Sequence, residues 1–121
     1  MKPEKIDLTQ KLSLFRDHWS PKIIAEVDDC AVKIAKFQGD FVWHRHELED
    51  ELFLVLKGQM RIQFREGDVE LSEGEMIVVP RGVEHRPTAE QEVAVLLFEP
   101  KSTLNTGDAV DERTVRELDR I

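Results

Sequence analysis

Residues 39–58 read GDFVWHRHELEDELFLVLKG. Their hydrophobic pattern has a period of two, that of an extended chain whose successive side chains point to opposite faces. In ELFLVLK, residues 51–57, Glu51, Phe53 and Val55 share one face and Leu52, Leu54 and Leu56 the other. In FVWHRH, residues 41–46, the same parity places His44 and His46 on one face and turns Trp43 and Arg45 away. ELED turns the chain between the two runs, and in a hairpin Glu51 returns beside the histidine pair. Imidazole nitrogen and carboxylate oxygen suit a divalent first-row transition metal. A closed structural zinc site would more often contain cysteine.

Further strand-like runs flank this stretch: 22–27, 31–37, 59–64, 68–71, 75–80, 83–87 and 92–100. Turn signals at Asp28-Asp29, Gly58, Gly67-Asp68, Gly74 and Gly82 separate many of them. Many short strands with glycine punctuation predict an all-β sandwich or barrel over about 22–100. In QMRIQF, Met60, Ile62 and Phe64 are assigned to the interior, and Arg61 and Gln63 to the outside. ELFLVLK, EMIVVP and EVAVLLF are apolar on both faces, whereas a strand with one wet face would alternate. A second subunit, giving a homodimer, is the preferred cover for their outer sides.

Two short helices are expected at the ends. Leu8, Leu12, Phe15 and Trp19 form one face of a helix over 6–19, packed against the barrel and ended at Ser20-Pro21. A terminal helix is expected over 111–120, with Glu112 four residues before Arg116. No repeat or composition break divides the chain, so 1–121 is read as a single domain.

The chain has 121 residues, 40% of them hydrophobic and 35% charged, with a formal net charge of −8. Basic residues form no stripe, which argues against nucleic acid and anionic membrane as partners. No apolar run is long enough to cross a bilayer, and the first residues lack the apolar core of a signal peptide. Cys30 is the only cysteine, read as a small buried or half-buried residue. A cytoplasmic location is the expectation.

Downstream, Gly74, Pro80, Gly82 and His85 frame a turn that leads His85 into the next strand. Together with Gly39, His44, His46, Glu51 and Gly58, this arrangement resembles the two motifs of the cupins. The first, G-x5-H-x-H-x3–4-E-x6-G, fits apart from one missing residue between Gly39 and His44. The second, G-x5-P-x-G-x2-H-x3-N, fits throughout except that Ala89 replaces the final Asn, which is not a metal ligand in that family. The resemblance covers about residues 31–99 and is greatest to small single-domain bacterial cupins, a group loosely described as mannose-6-phosphate isomerase-like. It implies a double-stranded β-helix, or jelly-roll barrel, usually dimeric. It also implies a metal held by His44, His46, Glu51 and His85.

One divalent transition metal per subunit is therefore expected, drawn from iron, manganese, nickel and zinc. An octahedral ion with these ligands keeps two positions for water, a small-molecule ligand or dioxygen. Two functions follow. One is a metal-dependent enzyme, an oxygenase or an isomerase or lyase, acting on a small organic molecule. The other is a metal-assisted small-molecule binder or sensor without turnover. Parity nominates Phe53, Val55, Ile62, Phe64, Ile77, Val79 and Val95 as the pocket lining, with no second acid or base and no cation to clamp a phosphate. His18 has no spaced partner and is read as an ordinary polar residue.

Overall fold

A computed structural model describes all 121 residues. The elements are a short helix α1 (Leu8–Leu12) and seven strands: β1 (Lys22–Val27), β2 (Cys30–Asp40), β3 (Glu51–Lys57), β4 (Gln59–Phe64), β5 (Gly67–Ser72), β6 (Met76–Val79) and β7 (His85–Pro100). All ladders are antiparallel. One path runs β1-β2-β7-β3-β6, while β4 pairs with β5 and with the start of β7. The sheet is thereby folded into a jelly-roll barrel.

β7 makes this closure possible. Its first residues pair with β4, from Phe64–His85 to Arg61–Thr88, and its later ones with β2 and β3. Between these parts the β2 register shifts, from Phe37–Val93 to Gly39–Ala89, leaving extra β7 residues in a bulge. Bulges bend a strand and increase its twist. The sequence pattern divides this region into two runs, 83–87 and 92–100; the structure carries one extended chain across the bend. The tight β3–β4 connection needs Gly58, which has φ +92 and whose missing Cβ would lie 3.1 Å from the Glu92 carbonyl oxygen.

The barrel interior holds Ala35, Phe37, Phe53, Val55, Met60, Ile62, Val93, Val95 and Leu97, all buried. Phe64 and Ile77 pack against them. Arg61 is exposed, as the parity of QMRIQF requires.

Three expected elements differ. The N-terminal helix stops at Leu12 rather than continuing to Trp19. Lys36 Nζ takes the Leu12 and Phe15 carbonyls, each at 2.8 Å, and the Trp19 amide turns to the Lys36 carbonyl at 3.0 Å. A longer helix would use those groups itself. Phe15 is buried beneath the ammonium groups of Lys22 and Lys36, while Trp19, at φ 60, leaves the helical path altogether.

The C-terminal helix over 111–120 does not form. Asn105 takes the Val115 amide and the Arg113 carbonyl, and Thr114 Oγ1 takes the Asp111 amide. Side chains thus supply the partners that helical bonds would have supplied. The last residues run extended beside β1, with the Ile23 amide bonded to Asp119 and the Ile121 amide to Ile23. Finally, residues 41–46 are not a regular strand. They meet β7 through the isolated bridge His44–His85, whose two amide–carbonyl bonds are 3.0 and 2.8 Å, and through the Phe41 amide, which donates to the Pro87 carbonyl at 3.0 Å.

Candidate metal centre

His44 and His46 reach the interior from the irregular segment between β2 and β3. Glu51 opens β3 and His85 opens β7. One donor atom from each side chain falls within 4.8 Å of the others, and all four residues are buried. Glu51 Oε1 lies 3.4 Å from His46 Nε2 and 3.3 Å from His85 Nε2.

The hydrogen bonds orient this group. His44 Nδ1 donates to the Val42 carbonyl and His85 Nδ1 to the Val83 carbonyl, both at 2.9 Å. A carbonyl can only accept, so each of these Nδ1 atoms carries a proton and, in the neutral ring, each Nε2 presents its lone pair to the centre. Metal-binding imidazoles are commonly held in this way. Neither ring nitrogen of His46 has a hydrogen-bond partner, and both are buried. Leaving such atoms unsatisfied costs roughly 1–3 kcal/mol each, and a cation accepting an imidazole lone pair removes part of that cost. The donor set therefore fits a divalent transition metal on its own geometry.

The electrostatics agree. Burial, followed by the neighbouring His85, lowers His44 to about 4, so its ring stays neutral and available at ordinary pH. Burial works against the Glu51 carboxylate, but the imidazoles of His46 and His85 beside it outweigh that and hold the group well below the usual range.

Beside the donors is a cavity of about 20 Å³, room for one water-sized group. Its polar edge is His44, Glu51, Glu99 and Asn105, and its walls include Trp19, Phe37, Phe41 and Phe53. Trp19 stacks on Phe37 at 4.2 Å and on Phe41 at 4.6 Å, so the N-terminal segment supplies one wall. Of the seven residues that parity nominates as lining, only Phe53 lines this cavity; Val55, Ile62, Val79 and Val95 lie in the packed core. The expectation of no further acid or base is also overturned. Glu99 lines the cavity, and its Oε1 accepts from Lys33 Nζ at 2.9 Å. Burial and then the Glu51 charge push Glu99 well above the carboxylate range.

The C-terminal segment holds the histidine pair from outside. The Asp108 amide donates to the Arg45 carbonyl, and Asp108 Oδ1 accepts from the Arg45 amide at 2.8 Å. Gly107 packs so closely that a Cβ there would collide with the Arg45 carbonyl oxygen and lie 3.1 Å from His44 Cδ2. Trp43 points away from the centre and carries the Arg65 guanidinium 3.8 Å from its ring centroid. His18 is bonded to Glu92 at 2.6 Å, away from the site.

A small jelly-roll barrel with three imidazoles and one carboxylate gathered inside defines a class of folds whose interior could hold a single metal ion. The chain belongs to the cupins: residues 32–100 match the model of the Cupin_2 domain. It is 46% identical to a cupin-2 domain protein of Shewanella frigidimarina, with a TM-score of 0.79 over 79% of this chain and 94% of that one. It is 34% identical to the Neisseria meningitidis protein NMB1881, with a TM-score of 0.74 over 81% of this chain and all of that one. It is 39% identical over 64 residues to the Bacillus subtilis protein YdbB, a match covering 52% of this chain and 57% of YdbB. The chain therefore spans little more than half the length of the curated relative it matches.

Proposed function

We propose that this chain binds one divalent transition metal through His44, His46, Glu51 and His85 and acts with it, as an enzyme, on a small organic molecule. The observation that carries this reading is His46. Its two ring nitrogens are buried without hydrogen-bond partners, and one of them lies within 4.8 Å of the other three donors. When bound, such an ion supplies Lewis-acid chemistry, and redox chemistry if it is iron or manganese. The protein's own part is to fix the imidazole tautomers through Val42 and Val83, to wall the cavity with aromatic rings and to exclude bulk water. Lys33, the basic residue beside the cavity, is already engaged by Glu99. That pairing disfavours a phosphorylated substrate, which would need a free cationic clamp.

Metal analysis after purification without an affinity tag tests the reading. About one ion per chain is expected, and His46→Ala should lose most of it while keeping the barrel. Equal metal content in that variant would show the ligand set to be wrong. Saturating the wild type at 100 times Kd should add about 2.7 kcal/mol of stability, and a chelator should remove it. Oxygen uptake or product formation separates the enzyme from the alternative, a metal-assisted binder without turnover.

The same reading includes a homodimer formed through the outer sheet face. Leu52, Leu54, Leu96 and Phe98 are half-buried there, beside exposed Met76 and Val78.

A further inference from the structure

Lys33 and Glu99 are a second anomaly inside the barrel. Both lie on inward faces, with 2% and 3% of their surfaces exposed. Burying a lysine against a carboxyl group costs desolvation, and apolar residues of similar volume are often as stable or more so. The register puts this pair beside the donor group. Glu99 pairs with Ala31 on β2, and one step beyond the Leu52–Phe98 pair it faces Glu51 across β3. Lys33 engages Oε1 of Glu99, whereas Oε2 is buried with no hydrogen-bond partner, and the Glu99 carboxyl lies beside that of Glu51. The same residue lines the small cavity with Glu51 and His44.

We propose that Glu99, braced by Lys33, recognises a hydroxyl group of the small molecule held at the His44–His46–Glu51–His85 centre. The ligand class is a compound with a metal-binding oxygen and a hydroxyl on the adjacent carbon, as in a 2-hydroxy carboxylate. A hydroxyl both donates and accepts, so it pairs with Oε2 whichever protonation form Glu99 takes. The cavity of about 20 Å³ admits a hydroxyl group next to Glu51. Lys33 acts as a positioning residue: it fixes one carboxyl oxygen and leaves the other for the ligand.

This inference rests on the metal reading, and its test keeps the two apart. Cobalt(II) is added to the wild-type protein and its visible absorption followed. The loaded protein is then titrated with glycolate and with acetate, which differ by the hydroxyl alone. Glycolate should bind more tightly than acetate. The preference should persist in E99Q, whose amide can still bond a hydroxyl, and fall about tenfold in the K33M/E99M double variant. Removing both groups together avoids leaving either buried without its partner. Failure of the wild type to take up cobalt would overturn the metal reading and this one with it. Cobalt uptake without a glycolate preference, or with the same preference in K33M/E99M, would overturn this inference alone.

Discussion

At the residue scale, His44 shows how burial prepares a donor. Its ordinary value of 6.5 falls to about 4 through burial and the nearby His85. In metal-free protein, the unfolded chain then binds a proton between pH 6.5 and 4 that the folded chain does not. Stability from this group is complete above pH 6.5 and is lost as pH falls towards 4, by on the order of 3 kcal/mol. Urea denaturation of metal-free wild type between pH 7 and 4.5, compared with His44→Phe, should show the steeper loss in the wild type. Parallel profiles would contradict the assignment. The four donors were legible because short motifs fix their spacing around turns. Lys33 and Glu99 were not read as interior, since one of two lysines in AVKIAKF and a glutamate before Pro100 look like surface residues. The parity signal was present: Lys33 shares a face with Ala31, Ala35 and Phe37, and Glu99 with Val93, Val95 and Leu97. Only the long-range β2–β7 register brings the two together.

At the element scale, the strands carried their own signal and the terminal segments did not. Period-two runs with glycine turns located β1 through β6 to within a few residues. The terminal stretches have helical periodicity but give their backbone partners to tertiary contacts: Lys36 at one end, Asn105 and Thr114 at the other. That choice has a consequence for the site. Residues 101–110 lie outside the matched domain, yet Asp108 and Gly107 clamp the backbone between His44 and His46. Gly107→Ala places a methyl group against backbone that cannot yield cheaply, and its φ of +54 disfavours a side chain independently. The variant should lose about 1–3 kcal/mol in thermal denaturation and about tenfold in zinc affinity by calorimetry, as displaced supports of metal ligands do. Unchanged zinc affinity would show that the segment covers the site without shaping it.

At the scale of the whole molecule, the unresolved imbalance is between the two faces of one sheet. The inward face is packed, and on the outside Ile34 is fully buried, with the neighbouring Lys36 bonded to the N-terminal segment at Leu12 and Phe15. The rest of the outer face stays apolar. Across the ladders, Leu52 pairs with Val78 and with Phe98, and Leu54 with Met76 and with Leu96, which makes one continuous patch. Met76 is 54% exposed and Val78 48%. Contiguous apolar surface of this kind marks an interaction site, and a two-fold axis would place the same patch on both partners. A standard interface buries roughly 800 Å² on each side, which a face of four neighbouring strands can supply. Light scattering should therefore give twice the 14.0 kDa of one chain. Met76→Lys with Val78→Glu should shift it towards one chain, because each charge would have to be desolvated at the interface. Both positions lie on the side of β6 away from Val79 and the metal donors, so metal content should stay the same. A wild-type mass of one chain at micromolar concentration would reject this dimer, and an unchanged dimer in the double variant would move the interface to another face.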